Sequence, residues 1–219
     1  MTTIIGIQGD GFCVAVADSR ISDVEESGLI SQIVGLKESN SKLGVNGNYV
    51  LAAAGDLRAI NILHHAFSPP TVAPNVKGKR LDQFVTTKFI PALRECFETQ
   101  GYASPLNEQS QHIAEHSSTI LMAINGQIYI IDGDYSWISD PYGLFAVGTG
   151  AQYALGAMYA MFPKNGKLDV ALARKMAIKS ISVAAKFDPY TGAPYHTQVQ
   201  GRDQESKSTP TIVRKPKKS

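Results

Sequence analysis

The sequence predicts an α+β protein built as a four-layer αββα sandwich, with two antiparallel sheets and helices on both outer faces. Three observations predict this fold. Apolar runs joined by short Gly-containing turns recur along the chain, which is typical of β-hairpins. Segments with helical spacing of apolar residues follow the strands in two groups. Strands and helices therefore come in blocks, and not in the strict alternation that predicts a parallel sheet.

Three hairpins form the predicted strand framework. Their turns are Gly9-Asp10-Gly11, Asn46-Gly47 and Asn125-Gly126, which are residue types that tight turns between paired strands require. The paired strands are predicted at 2–7 with 12–20, 41–45 with 49–54, and 119–124 with 127–132. Shorter strands are predicted at 135–138, 144–147 and 195–199. Residues 21–41 are mixed and rich in Ser and Glu, and they predict a loop with room for one short strand.

Four helices are predicted from apolar residues at helical spacing. The first covers 57–67, and the carboxylate of Asp56 can cap it. The second covers 81–97 and contains Pro91, which is expected to kink it. Small residues predict a third helix at 153–159. The fourth covers 168–187 and begins at Asp169 or at the preceding Asn165-Gly166 turn.

Length and composition fit one well-buried domain. The chain has 219 residues, of which 43% are hydrophobic and 18% charged, which is enough for one core and short for two. We expect a single domain over residues 1–200 and a disordered basic tail over 201–219. The net charge of +2 gives no indication of nucleic-acid binding. Cys13 and Cys96 lie in apolar segments and are expected to be reduced, although the sequence leaves a disulfide open.

The sequence indicates neither a membrane segment nor a cofactor site. It contains no long apolar run and no signal peptide, so we expect a cytoplasmic protein. Gly148-Thr149-Gly150 precedes a helix and could bind phosphate through exposed N–H groups. A Walker lysine and a full dinucleotide fingerprint are both missing, so we predict no nucleotide and no other cofactor.

The start of the chain carries the candidate catalytic chemistry. Removal of Met1 would leave Thr2 with a hydroxyl beside a free α-amine. The pKa of such an amine is about 8, so it could accept the hydroxyl proton. Asp18 closes the second strand of the first hairpin, and antiparallel pairing brings the outer ends of a hairpin together. We therefore expect Asp18 beside Thr2; a Thr2 that serves only the core is the alternative.

Two further features leave alternatives open. Lys42 begins the second hairpin, either as a solvated strand end or as a buried ammonium group that keeps the α-amine neutral. His112, Glu115 and His116 have the H-x-x-E-H spacing of one class of zinc peptidases, in which the histidines bind the metal and the glutamate is the base. The segment is short and polar, so we favour a surface loop and predict no metal site.

Taken together, these sequence segments resemble those of the N-terminal-nucleophile (Ntn) hydrolases. The chain is most similar to proteasome β subunits and to the β-type peptidase of the bacterial two-component ATP-dependent protease. The resemblance runs in matching order over roughly residues 2–199. The motifs that carry it are Thr2-Thr3-Ile4-Ile5-Gly6-Ile7, Asp18-Ser19-Arg20, Ser41-Lys42-Leu43, Gly148-Thr149-Gly150 with Tyr153-Ala154-Leu155-Gly156, and Asp188 with Thr191-Gly192.

The resemblance implies the Ntn-hydrolase fold and a role for each matching residue. Thr2 would be the nucleophile and its α-amine the general base. Lys42 would tune the nucleophile, and the backbone N–H of Ala52 would donate a hydrogen bond to the oxyanion. Val50 and Ala54 would flank an apolar substrate pocket. The implied catalytic residues are Thr2, Asp18, Lys42, Thr149, Asp188 and Thr191.

The chain departs from the family pattern in three places. The segment between Asp18 and Lys42 is longer, which leaves Lys37 open as the active-site lysine. Ala52 stands where the family has a glycine, and its methyl group could crowd the substrate. Threonines replace the family's serines at positions 149 and 191, which keeps the hydroxyls and adds bulk.

The implied function is that of a threonine peptidase in a self-compartmentalising ring. Such a ring is a stacked homo-oligomer that hydrolyses unfolded polypeptides, with an ATP-driven unfoldase as a partner. A small-molecule amide hydrolase on the same fold and a non-catalytic ring protein are the alternatives, and retention of Met1 would favour the latter. A zinc peptidase is the fourth hypothesis, and such an enzyme would be inhibited by chelators.

Overall fold

The computed structural model describes residues 2–24, 30–37, 40–103, 116–140 and 142–201. Its first sheet contains β1 (Thr3–Gln8), β2 (Phe12–Asp18), β10 (Leu144–Gly148) and β11 (Tyr195–Gly201), in the order β10-β1-β2-β11. Its second sheet contains β5 (Leu43–Asn46), β6 (Tyr49–Ala54), β7 (Thr119–Ile124), β8 (Gln127–Ile131) and β9 (Trp137–Ile138), in that order. Every strand pair in both sheets is antiparallel.

Helices cover the outer face of each sheet. The second sheet is covered by α1 (Leu57–His65), α2 (Lys79–Phe84), a π-helical turn (Val85–Phe89) and α3 (Ile90–Thr99). The first sheet is covered by α4 (Ala151–Met161) and α5 (Val170–Phe187). The predicted αββα sandwich is therefore confirmed. Among the described residues, no helix is both long enough and apolar enough to cross a bilayer.

Three apolar layers hold the four structural layers together. Neighbouring residues of β1 serve different layers, because successive side chains of a strand point to opposite faces. Ile4 packs between the two sheets with Leu121, whereas Ile5 packs against α4 and α5 with Ile181. Phe89 belongs to the third layer, between the second sheet and its helices. Each predicted hairpin thus contributes to an inner layer and an outer layer.

The prediction of a loop with one short strand at residues 21–41 is wrong. This region contains a separate two-stranded hairpin, β3 (Arg20–Val24) and β4 (Ile30–Gly35), whose partners include Ile21 with Val34. Its β-branched residues favour strand, but within the described part of the chain the two strands pair with each other and with neither main sheet. Val34 of β4 is 43% exposed, whereas a strand packed on a core has its apolar residues on the buried face. The sequence pattern therefore gives little indication of this hairpin.

The other predicted elements agree with the structure to within a few residues. Asp56 caps α1 through the N–H of Arg58, and Asp169, rather than the Asn165-Gly166 turn, caps α5. Cys13 and Cys96 are free thiols. The predicted tail lies outside the described residues, apart from Gly201 at the end of β11.

Candidate active site

The first hairpin brings the start of β1 beside the end of β2. Ile4 is paired with Ala17, so the residues just outside this pair lie next to each other. The backbone N–H of Thr3 donates a hydrogen bond to Oδ1 of Asp18 at 3.0 Å. Thr2, the candidate nucleophile, is 3% exposed and precedes this contact by one residue. The predicted proximity of Asp18 to the start of the chain is therefore present.

Asp18 and Lys42 form a buried ion pair across the two sheets. Lys42 Nζ lies 2.8 Å from Asp18 Oδ1, and both side chains are fully buried. The same ammonium group donates to the carbonyl oxygen of Arg20 at 2.6 Å. Lys37, the alternative left open by the sequence, is exposed. The lysine beside Asp18 is therefore Lys42.

The carboxylate of Asp18 accepts four hydrogen bonds from the described residues. Its Oδ1 accepts from Thr3 N–H and Lys42, and its Oδ2 accepts from the N–H groups of Arg20 and Gly192 at 3.0 and 3.1 Å. Burial raises the pKa of Asp18, and the charge of Lys42 and the hydrogen bonds from Lys42, Thr3 and Gly192 oppose that rise. Burial likewise lowers the pKa of Lys42, against the attraction of Asp18. Each partner therefore depends on the other to stay charged.

A second polar group lies on the other side of Thr3. Asp188 follows α5, and its Oδ2 accepts hydrogen bonds from the hydroxyls of Thr149 at 2.7 Å and Thr191 at 2.6 Å. The hydroxyl of Thr191 also lies 2.5 Å from that of Thr3. Thr149 also contacts the start of the chain directly, since its N–H donates to the carbonyl of Thr2 at 2.9 Å.

Two glycines allow the chain to approach this closely. Gly148 has a φ of +96°, and a Cβ atom there would lie 1.9 Å from the carbonyl oxygen of Thr2. At Gly150 a Cβ atom would lie 2.2 Å from the hydroxyl oxygen of Thr3. The Gly148-Thr149-Gly150 segment therefore serves close packing against residues 2 and 3, and its one side chain is directed to Asp188.

Known structures with this architecture are similar to the whole of the described chain. Thiobacillus denitrificans BPH in complex with epoxomicin matches at 21% identity and a TM-score of 0.67, covering 91% of this chain and 98% of BPH. HslV from Trypanosoma brucei matches at 17% identity and a TM-score of 0.58, covering 92% and 100%. A Gly-1 mutant of Anbu from Hyphomicrobium sp. strain MC1 matches at 16% identity and a TM-score of 0.60, covering 93% and 83%. The fold is that of the proteasome-like Ntn hydrolases.

The similarity is detected when structures are compared, and not when sequences are compared. No protein-family model and no curated protein sequence matches the chain. Identities of 16–21% establish a shared fold and no more. The chemistry of this Ntn-hydrolase fold must therefore be argued from its own residues.

The predicted oxyanion and substrate residues lie on β6. The side chains of Val50, Ala52 and Ala54 are 1%, 0% and 7% exposed and belong to the apolar layer between the sheets, together with Leu43. Their strand, β6, pairs with β5, and Lys42 directly precedes β5. Their roles toward a substrate remain predictions.

The zinc hypothesis falls partly outside the described residues, because His112 and Glu115 are not among them. His116 is described, and it is 6% exposed. Its ring lies edge-on to Phe97 and Tyr135, with centroids 5.1 and 5.0 Å away. Its Nδ1 accepts the N–H of Ser118, so this nitrogen is not directed at an ion.

Three residues of the site were missed by sequence reasoning. Thr3 contacts both Asp18 and Thr191, Gly192 donates to Asp18, and Arg20 donates from its guanidinium to the carbonyl of Pro189 at 2.6 Å. A Cβ atom at position 192 would lie 2.4 Å from Arg20 Nε, so a side chain there would displace the guanidinium group of Arg20. The Thr2-Thr3, Asp18-Ser19-Arg20 and Thr191-Gly192 runs contained these three residues, but only the first residue of each run was assigned a role.

Proposed function

We propose that this protein is a threonine peptidase of the Ntn-hydrolase family, with Thr2 as its nucleophile after removal of Met1. The observation that carries the proposal is the convergence of two buried polar groups on Thr3. Asp18 and Lys42 approach it from one side, and Asp188, Thr149 and Thr191 from the other. Buried ionisable groups cost free energy, and their concentration at one chain end favours a catalytic role over a purely structural one.

The reaction follows from the chemistry of an N-terminal threonine. The Thr2 hydroxyl oxygen attacks the carbonyl carbon of a peptide bond, and the α-amine takes the hydroxyl proton. The C–N bond then breaks as the amine passes this proton to the leaving nitrogen, which leaves the acyl group as an ester on Thr2. Water attacks the ester carbon, and a proton returns through the amine to the Thr2 oxygen. The enzyme is thereby restored.

The surrounding residues have distinct roles in this proposal. Lys42 supplies a buried positive charge that disfavours a second ammonium group at Thr2, so the α-amine stays neutral and basic. Asp18 holds Lys42 in place and stabilises its charge. Asp188 orients the hydroxyls of Thr149 and Thr191 near the chain start. Ala52, the oxyanion donor predicted from the sequence, lies inside β6 with a strand partner on each side, Leu43 and Leu121, so its N–H is directed into the sheet. An oxyanion donor, which contributes roughly 10²–10³ in rate, must therefore be another backbone N–H.

The deciding experiment is intact-mass analysis of the purified protein before and after epoxomicin, the ligand of the T. denitrificans BPH structure. We expect a mass without Met1 and one adduct per chain. Thr2→Ala should give no adduct, whereas Thr87→Ala, at an exposed threonine of the π-helical turn, should react like the wild type. Retained Met1 without an adduct would refute the peptidase and favour a non-catalytic protein of the same fold.

We also propose that copies of the chain assemble into a ring that admits unfolded polypeptides, with an ATP-driven unfoldase as a partner. The support is the whole-chain similarity to HslV and BPH. Light scattering coupled to size-exclusion chromatography tests the assembly directly. A monomer that hydrolyses small amides but not casein would instead indicate an amide hydrolase with an open site.

A further inference from the structure

The peptide group between Thr2 and Thr3 is held at both its carbonyl and its N–H, and the Thr3 side chain is held as well. The carbonyl of Thr2 accepts the N–H of Thr149 at 2.9 Å, and the N–H of Thr3 donates to Asp18 at 3.0 Å. The Thr3 hydroxyl contacts that of Thr191 at 2.5 Å. Terminal residues usually fray unless they are tied down. These three contacts tie down the residue directly after the candidate nucleophile.

The direction of the hydroxyl contact follows from its neighbours. The carboxylate of Asp188 can only accept, and its Oδ2 takes the protons of both Thr149 and Thr191. Since the proton of Thr191 is used there, its oxygen must accept the hydrogen bond from Thr3. Thr3 is therefore the donor at the end of a chain of hydroxyls that leads to Asp188.

The Thr3 side chain has no freedom to turn away. It is fully buried, and the backbone at Gly150 lies against its hydroxyl so closely that a Cβ atom there would be 2.2 Å away. Its N–H is bonded to the Asp18–Lys42 pair, while its hydroxyl is bonded to the Asp188 group. Among the described residues, Thr3 thus bonds directly to both polar groups.

We propose that Thr3 is a positioning residue for the reaction, a role that rests on the proposed function. Its hydroxyl fixes the orientation of the preceding peptide group, and with it the directions in which the α-amine and hydroxyl of Thr2 point. Misplacing a reacting group by about 1 Å can cost on the order of 10²-fold in rate. A short hydrogen bond at residue 3 therefore controls the geometry of a nucleophile that has no residue before it to hold it.

The test compares Thr3→Val, which keeps the shape and removes the hydroxyl, with Thr3→Ser, which keeps the hydroxyl. For each variant with Met1 removed, we would measure peptide hydrolysis and the rate constant for epoxomicin labelling by intact mass. We expect Thr3→Val to lower kcat and the labelling rate about 10- to 100-fold with KM within about twofold. Thr3→Ser should keep both rates within about threefold of the wild type.

The outcomes separate the two proposals. If the wild type reacts and Thr3→Val reacts as fast, Thr3 has no positioning role while the peptidase proposal stands. If Thr3→Ser loses as much rate as Thr3→Val, the hydroxyl is not the cause and the inference is wrong. A wild type that lacks Met1 and does not react overturns both. Should Thr3→Val fail to fold, Thr3→Ala with single-turnover labelling gives the same comparison.

Discussion

At the scale of single residues, the site depends on charges that neutralise each other in the interior. We predict that Lys42→Met lowers the free energy of unfolding by about 3–5 kcal/mol, because it leaves the buried carboxylate of Asp18 without its counter-ion. Lys37→Met, at an exposed lysine on the same stretch of chain, is the matched control and should change it by less than about 0.5 kcal/mol. Urea denaturation of both variants measures this. Equal effects would mean that the Asp18–Lys42 pair does not form.

The same substitution should change how stability depends on pH. Burial raises the pKa of Asp18, and Lys42 opposes this rise, so the pKa rises further in Lys42→Met. The folded variant then holds the proton of Asp18 more tightly than the unfolded chain does. Its free energy of unfolding should be highest in acid and decrease as the pH rises through the raised pKa. Urea denaturation from pH 4 to 8 would contradict this if the variant's stability were flat.

His116 gives a pH effect of the opposite sign. Burial among aromatic rings lowers its pKa below the ordinary 6.5, so it stays neutral in the folded chain when it protonates in the unfolded one. Stability should therefore fall as the pH drops below about 6.5, by at most about 1.4 kcal/mol per pH unit from this residue. His116→Phe should reduce this slope in thermal denaturation at pH 5–7. His65→Phe, at an exposed residue of α1, should reduce it far less, since His65 acts on stability in this pH range only as the smallest cause of the lowered pKa of His64.

At the scale of elements, the π-helical turn shows how core spacing overrides local preference. The buried residues of α2, the π turn and α3 are Leu81, Val85, Phe89, Leu93 and Phe97, each four positions after the last. At 3.6 residues per turn, each such step overshoots a full turn by about 40°, so a regular α-helix would rotate Phe97 away from the core. The wider π turn takes up part of this excess. It also ends just before Pro91, whose missing N–H needs no partner at the start of α3.

Substitutions can separate the effect of the proline from that of the buried residues. We predict that Pro91→Ala keeps the π turn and changes the free energy of unfolding by less than about 1 kcal/mol, because the buried spacing is unchanged. Phe97→Ala should cost about 3–5 kcal/mol. Urea denaturation measures both, and a crystal structure of Pro91→Ala would reveal the turn. A regular α-helix in that structure would show that the proline, and not the spacing, produces the π turn.

Local patterns predicted the elements far better than the contacts between them. The Asn125-Gly126 turn was predictable because its positive φ angles favour these residues, and the capping role of Asp56 follows from its own side chain. The bond between Thr3 and Thr191 joins residues 188 positions apart, and no local pattern encodes it. Spacing also could not choose between Lys37 and Lys42, since the choice depends on which of them reaches the other sheet.

At the scale of the whole molecule, the distance between the two sheets controls the site. Asp18 ends a strand of the first sheet and Lys42 precedes a strand of the second, so their 2.8 Å contact spans the interior of the sandwich. Gly6, in the middle of β1, lies where the sheets approach closely. A Cβ atom there would lie 2.9 Å from both Ile128 Cδ1 and Leu121 Cδ1 of the opposite sheet. A larger residue at position 6 must therefore push the sheets apart or displace these side chains.

We predict that Gly6→Val lowers the free energy of unfolding by about 1–3 kcal/mol and also slows epoxomicin labelling, because separating the sheets weakens the Asp18–Lys42 contact. Gly156→Ala is the matched control: it lies on α4, and a Cβ atom there meets nothing within 4 Å. This control should stabilise the protein by roughly 0.5–1 kcal/mol and leave labelling unchanged. If Gly6→Val lost stability but labelled at the wild-type rate, the side chains at position 6 would absorb the strain locally. The spacing of the sheets would then not be what sets the geometry of the site.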